Sequence, residues 1–335
     1  MNGTVTLTNA NGVSATILAI GATLQALRVP DRHGMLDDVV LGHDTPEEYL
    51  ASRNFFGSTV GRYANRIAEG RFTLDRRGYA LTTNDGANHL HGGTAGLDQR
   101  VWEVRSATSS SVTLSCRSPD GEDGYPGALE ITATYTLSDA NELTIDYQAT
   151  TDAPTIVNIT NHAYFNLAGA DRDAMGHRLT IHASHYTPVD ETLIPTGALD
   201  SVADTPFDFR EGAAIGARVR DARDPQIRVG LGYDHNYVLD GEAGTLRPAA
   251  RLEDPVSGRV MEMLVTAPGL QFYSGNFLDG KVIGKRGRAY RQGDGIALEP
   301  QLFPDSPNRP EFPSARLDPG EVYRNTIVLR FSVSD

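Results

Sequence analysis

The chain has 335 residues, enough to bury a large core in one big β domain or two ordinary ones. Its 43 acidic residues against 30 basic ones leave a net charge of -13, which argues against nucleic acid and anionic membranes as partners, since a phosphate-binding surface needs a clustered positive field. The lone cysteine, Cys116, excludes an internal disulfide and any multi-cysteine zinc site.

Met1-Asn2-Gly3 opens without the charged-then-apolar pattern of a signal peptide, and no segment approaches the ~20 apolar residues of a membrane span. A soluble, cytoplasmic protein is expected. Strand patterns follow at once: the run Val13, Ala15, Ile17 and Ala19 alternates with Ser14 and Thr16, and residues 24–29 end at Pro30 and the turn-like Asp31-Arg32-His33-Gly34. Thr45-Pro46-Glu47-Glu48 reads as a helix start, with a capping Thr, Pro at the first position and Glu at the third. Residues 71–74 and 79–81 flank a hairpin turn at 75–78. Further alternating runs span 101–104, 111–116, 131–137 and 143–149, and Cys116 falls on the apolar side with Val112 and Leu114, as a buried inert thiol.

Residues 156–169, IVNITNHAYFNLAG, place Asn158, Thr160, His162, Tyr164 and Asn166 on one face and Val157, Ile159, Ala163, Phe165 and Leu167 on the other. A strand with one face in the core is expected. Solvated strand faces usually carry Lys and Glu, whereas this row offers amides, hydroxyls and an imidazole, which suit a hydroxyl-rich ligand such as a sugar. Later strands are expected at 178–183, 260–265, 270–274, 295–301 and 326–333. Only 45–53 and 211–219 have helical character, so the fold class is mainly β: many antiparallel strands in a large sandwich or barrel with few short helices. Residues 281–291, basic and interleaved with Gly, read as a solvated loop. The Pro-rich run at 304–319 reads as a long loop, a candidate wall or lid because it follows Glu299.

His89-Leu90-His91-Gly92-Gly93 invites a metal reading, but no carboxylate follows at ligand spacing. One pocket histidine beside a structural neighbour fits better, and no metal is expected. Gly57-Ser58-Thr59-Val60-Gly61 has its serine one place too early for a nucleophile elbow. Gly230-Leu231-Gly232 lacks the third glycine of a dinucleotide fingerprint. In Gly295-Ile296-Ala297-Leu298-Glu299-Pro300-Gln301, alternation puts Ala297, Glu299 and Gln301 on one face, so Glu299 is either a solvated edge residue or a buried carboxylate with work to do. Asp234, within GYDHNYVL, is equally readable as a turn former.

GRYANRI with Asn65-Arg66, Leu90-His91-Gly92-Gly93, TNHAYFNL, GYDHNYVL, LQFYSGNFLDG, and Leu298-Glu299 followed by Phe303-Pro304-Asp305-Ser306-Pro307-Asn308 together resemble the aldose 1-epimerases, or galactose mutarotases. The resemblance runs from about residue 21 to 331. It implies one β-sandwich domain over 1–335, and cofactor-free interconversion of the α and β anomers of free aldohexoses such as galactose and glucose. It also implies His162 as general acid and Glu299 as general base, with Asn65, Arg66, His91, Tyr164, Asp234 and Gln271 holding the sugar. A monosaccharide partner and a monomer or homodimer are expected. Pro300 stands where the family often has Thr, and Leu97 where Phe is common; neither replaces a reacting group.

The chemistry points the same way. Opening a pyranose removes the C1 hydroxyl proton while the ring oxygen is protonated, so it needs one base and one acid, and near-thermoneutrality leaves a cofactor no energetic task. A nearby carboxylate, Asp234 or Glu299, is expected to keep His162 protonated. With Arg66 as the one clear cation, neutral sugars are expected over their 6-phosphates. Two rivals are a glycoside hydrolase using Asp234 and Glu299, and a non-catalytic sugar-binding protein.

Overall fold

The computed structural model describes residues 3–169 and 172–334; the opening Met1-Asn2 lies outside the described residues. Alternating sequences fold into antiparallel sheets, the largest of nine strands. Its spatial order is Glu103–Ala107, Ser111–Ser118, Leu129–Leu137, Glu142–Thr151, Tyr323–Val333, Arg259–Val265, Arg247–Glu253, Arg178–Ile181 and Ala213–Ala214. A six-stranded sheet runs Tyr164–Phe165, Ile296–Gln301, Gly269–Tyr273, Asp234–Leu239, Ala183–Tyr186 and Asp200–Ser201. A four-stranded sheet collects Thr4–Thr8, Ser14–Leu18, Thr23–Pro30 and Leu36–Asp38.

The main core draws on all three sheets: Ile131, Ala133 and Tyr135 from the first, Leu270, Phe272, Ile296 and Leu298 from the second, Ala15 and Leu27 from the third. Period-two alternation then sends the intervening residues of the six-stranded sheet, Gln271, Tyr273, Ala297 and Glu299, to its other face. That face is buried too. The sheet is therefore apolar toward the core and chemically equipped on the side where a cavity opens.

Several local expectations hold. Thr45 caps the helix Pro46–Ala51 with a complete capping box, and Arg71–Leu74 pairs with Arg77–Ala80 as a hairpin. Others are overturned. Residues 156–169 form no single strand: Thr155–Ile156, Thr160–Asn161 and Tyr164–Phe165 each pair with a different strand, and Asn158 makes an isolated bridge to Tyr63. The reason lies in the amides, which compete for backbone groups of crossing segments. Asn158 donates to Ala64 O at 3.0 Å, Asn161 to Gly57 O at 2.7 Å and Asn166 to Asp294 O at 2.8 Å. Much of the polar row is thus structural, and both faces are buried.

Residues 211–219 are not an α-helix but a two-residue strand and a 3-10 turn at Ile215–Ala217. The helix comes later, at Pro225–Gly230, where the Asp224 carboxylate accepts from Gln226 N and Ile227 N. Residues 281–291 belong to a hairpin, not a solvated loop. Asp279–Ile283 pairs with Ala289–Arg291, and Lys285 reaches inward to Asp38 at 2.6 Å and Val40 O at 2.9 Å. The 304–319 run does not line the main cavity: Phe303 packs on Phe312, and Arg316–Leu317 pairs with Thr155–Ile156. Cys116 is partly buried against the core, with its thiol pushed up by burial. No helix among the described residues is long and apolar enough to cross a membrane.

Candidate active site

Sheet register assembles the site. Asn236, Gln271 and Glu299 stand opposite one another across three neighbouring strands, and Asp234, Tyr273, Ala297 and Tyr164 form the next row. Residues separated by 24 or more positions in sequence thus come within cross-strand contact. Asp234 opens a strand and is not a turn former. His162 sits between two of the short pairings, its backbone N–H donating to Ser58 O at 2.9 Å and its carbonyl accepting from Gly57 N at 3.0 Å.

Asn65 and His91 lock each other in place. Both have positive φ; Asn65 N–H donates to His91 Nδ1 and His91 N–H to Asn65 O, each at 3.1 Å. With Nδ1 an acceptor, the neutral imidazole carries its proton on Nε2. Gly92 permits this tight turn: at φ +85 a Cβ there would lie 1.7 Å from Gly61 O. His89 has the structural role expected of it. Its Nδ1 donates to Thr82 O and its Nε2 accepts from Tyr125 O–H, both at 2.6 Å.

A cavity of about 200 Å³ is lined by Asn65, Arg66, His91, His162, Tyr164, Asp234 and Glu299. Gln271 is the one anticipated residue outside that lining. It lies behind Asp234, donating Nε2–H to Asp234 Oδ1 at 2.7 Å while its Oε1 accepts from Gln301 Nε2 at 3.4 Å. Sequence reasoning missed Arg53, Phe55, Tyr273 and Phe277, which also line the cavity. Of these only Tyr273 carried a local signal, since it alternates onto the same face as Gln271.

Within the cavity His162 Nε2 and Glu299 Oε1 face each other at 3.5 Å. The imidazole lies between Phe55 and Tyr164, with ring centroids 5.8 and 5.0 Å away, and edge-on to His91 at 5.0 Å. Such walls offer no solvation to an ion. Burial pulls the His162 pKa down to about 4, and it pushes the Glu299 carboxyl well above its usual range, helped by Asp234 and opposed by Arg66. This corrects the expectation that a carboxylate keeps His162 protonated, because loss of solvation is the leading cause of the shift and no carboxylate field counters it. Asp234 is likewise raised by burial and held down by Arg66 and the Gln271 amide. His162 Nδ1 and Glu299 Oε2 have no hydrogen-bond partner among the described residues.

Donor atoms of His91, His162 and Glu299 lie within 4.8 Å of one another, the minimum set for a metal ion. Sequence spacing offered no third ligand to the His89/His91 pair; the group that the fold assembles leaves out His89, whose ring nitrogens are taken by Thr82 and Tyr125, and joins His91 to His162 and Glu299.

The aldose 1-epimerase family model matches residues 3–330. The galactose mutarotase of Bos taurus is 47% identical over 319 residues, covering 95% of this chain and 91% of that protein. The aldose 1-epimerase of Escherichia coli (strain K12) is 42% identical over 330 residues, covering 98% and 94%. Among solved structures, the GalM/aldose epimerase homologue from C. elegans superposes with a TM-score of 0.93 at 37% identity over 100% of both chains. Galactose 1-epimerase from Lactobacillus acidophilus gives 0.88 at 34% identity over 99% of this chain and 95% of that one. With near-complete coverage by the family model and by these relatives, and a matching antiparallel fold, the chain belongs to the aldose 1-epimerase family.

Proposed function

We propose that this chain is a mutarotase that interconverts the α and β anomers of free aldohexoses such as galactose and glucose, with Glu299 and His162 moving the protons. Asn65, Arg66, His91, Tyr164 and Asp234 hold the sugar, and Gln271 acts by orienting Asp234. The observation that carries the reading is the 3.5 Å approach of His162 Nε2 to Glu299 Oε1 inside the cavity. The anomeric hydroxyl and the ring oxygen are bonded to the same carbon, so the groups that handle their protons must be close neighbours.

Burial lowers His162 and raises Glu299, so before a sugar binds it favours the neutral form of each, with a shared proton drawn to the carboxyl rather than to the imidazole. Sugar hydroxyls supply hydrogen bonds that favour the charged arrangement, and the proton passes to His162 Nε2. The Glu299 carboxylate then accepts the C1 hydroxyl proton while the imidazolium protonates the ring oxygen; the C1–O5 bond breaks and the aldehyde forms. Rotation about C1–C2 presents the other face. Reclosure runs the same transfers in reverse.

A hydrolase using Asp234 and Glu299 is not favoured, since the relatives are named as mutarotases and epimerases. We take residues 1–335 to act as one domain in the cytoplasm, as a monomer or homodimer. The test is polarimetry or proton NMR on freshly dissolved α-D-glucose and α-D-galactose. The chain should hasten the approach to anomeric equilibrium in proportion to its concentration. Sugar binding without acceleration would leave a binding protein; release of reducing sugar from an aryl glycoside would leave a hydrolase.

A further inference from the structure

Two guanidiniums line the cavity, where the sequence had suggested one, and each is already paired. Arg53 meets Asp98 at two points, Nε to Oδ2 at 2.8 Å and Nη2 to Oδ1 at 2.7 Å, and the Asp98 carboxylate is buried. Arg66, 9% exposed, donates Nε–H to Asp85 Oδ2 at 2.7 Å. Asp85 is 37% exposed and lines a second, open cavity of about 440 Å³ that shares Arg66, Leu90 and Phe277 with the first. Its own loop does not depend on the carboxylate. The backbone of Asp85 is held by Asn88 in both directions, N–H to Asn88 O at 3.1 Å and Asn88 N–H to Asp85 O at 2.9 Å.

A guanidinium has five donors in a planar fork, and an unpaired one in a cavity is a receptor for phosphate or carboxylate. Occupying Nε with a carboxylate does two things. It fixes the plane of the fork, leaving the terminal N–H groups for ligand oxygens. It also cancels the positive charge that would draw an anion, beside Asp234, whose carboxylate repels one. We propose that Asp85 is a specificity-determining, positioning residue: it holds Arg66 for neutral sugar hydroxyls and keeps the site closed to phosphate and other anionic ligands. The inference rests on the sugar site described above and adds the residue that sets its charge selectivity.

The experiment compares the full chain with Asp85→Ala and Asp85→Glu. Inorganic phosphate is titrated calorimetrically at constant ionic strength, with and without saturating galactose, and KM and kcat for α-D-galactose are measured in parallel. Asp85→Ala should bind phosphate at least ~10-fold more tightly than the parent, with galactose displacing it, on the scale of one charge-assisted hydrogen bond. Its KM should rise by more than its kcat falls, because a ligand contact has been loosened and no proton carrier removed. Asp85→Glu should restore both properties toward the parent. Unchanged phosphate affinity in Asp85→Ala, phosphate that galactose does not displace, or a loss confined to kcat would each overturn the proposal. Phosphate binding is read without catalysis, so a parent chain that fails to exchange anomers would sink the proposed activity and leave this measurement decisive on its own.

Discussion

Replacing Glu299 by Gln separates what the carboxyl does for the reaction from what it costs the fold. The side chain is 2% exposed in the middle of the Ile296–Gln301 strand, with Oε2 unpartnered among the described residues. Gln preserves its shape and cannot carry the proton. Loss of a general base of this kind removes ~10²–10⁴-fold in turnover, or about 3–5 kcal/mol of transition-state stabilisation. Stability should move the other way. Burial raises the folded-state pKa of Glu299 above its unfolded value, so the protonated carboxyl's contribution is full below the unfolded pKa and is lost as pH rises through the folded one. Within that window the parent loses about 1.4 kcal/mol per pH unit relative to a side chain that does not titrate. Glu299→Gln should therefore gain on the parent between about pH 5 and pH 7, with the difference levelling off on the acid side. Polarimetry with α-D-galactose gives the turnover, and urea unfolding at the two pH values gives the stability. Turnover above about a tenth of the parent's would remove Glu299 from the proton transfers. A stability difference independent of pH would refute the argument from burial.

The remaining predictions follow from the same geometry. His162→Gln should also lower turnover by at least ~100-fold, and the double variant with Glu299→Gln should cost little more than the worse single, because the two act as one unit; additive losses would show that they act separately. The acid limb of kcat/KM should fall near pH 4, since burial holds His162 at about 4 and a second proton on the pair leaves no base. A limb at the ordinary imidazole value of 6.5 would contradict a neutral, desolvated His162. Prolonged chelation should leave turnover unchanged, as His91, His162 and Glu299 are assigned here to the sugar and its protons; activity lost to a chelator and restored by one divalent ion would make them ligands instead. Gly92→Ala should destabilise by on the order of 3 kcal/mol or more, combining a close contact with Gly61 O and a left-handed backbone. Denaturant unfolding within about 1 kcal/mol of the parent would show that the Asn65–His91 turn can relax.

Local pattern alone determined a good deal of this protein. Alternation marked the strands around 131–137, 143–149 and 296–301 and put Glu299 on the face away from Ile296 and Leu298, because pleat geometry is a property of neighbouring residues. The capping box at Thr45 was legible for the same reason. The strands Thr4–Thr8 and Arg247–Glu253 were not anticipated, and neither was Asp234–Leu239 with its carboxylate. Inside residues 156–169 the regular pattern hid three separate pairings, since what an Asn amide bonds to is decided by the segment that crosses it. Only the tertiary structure set Gln271 behind Asp234, brought Glu299 to 3.5 Å from His162 and gave Arg66 its partner Asp85. It also reversed the expected charge of His162. Residue type fixes which groups can carry a proton; where the proton rests depends on how much water and which charges the folded chain leaves around them, and those distances do not exist until the sheets are assembled.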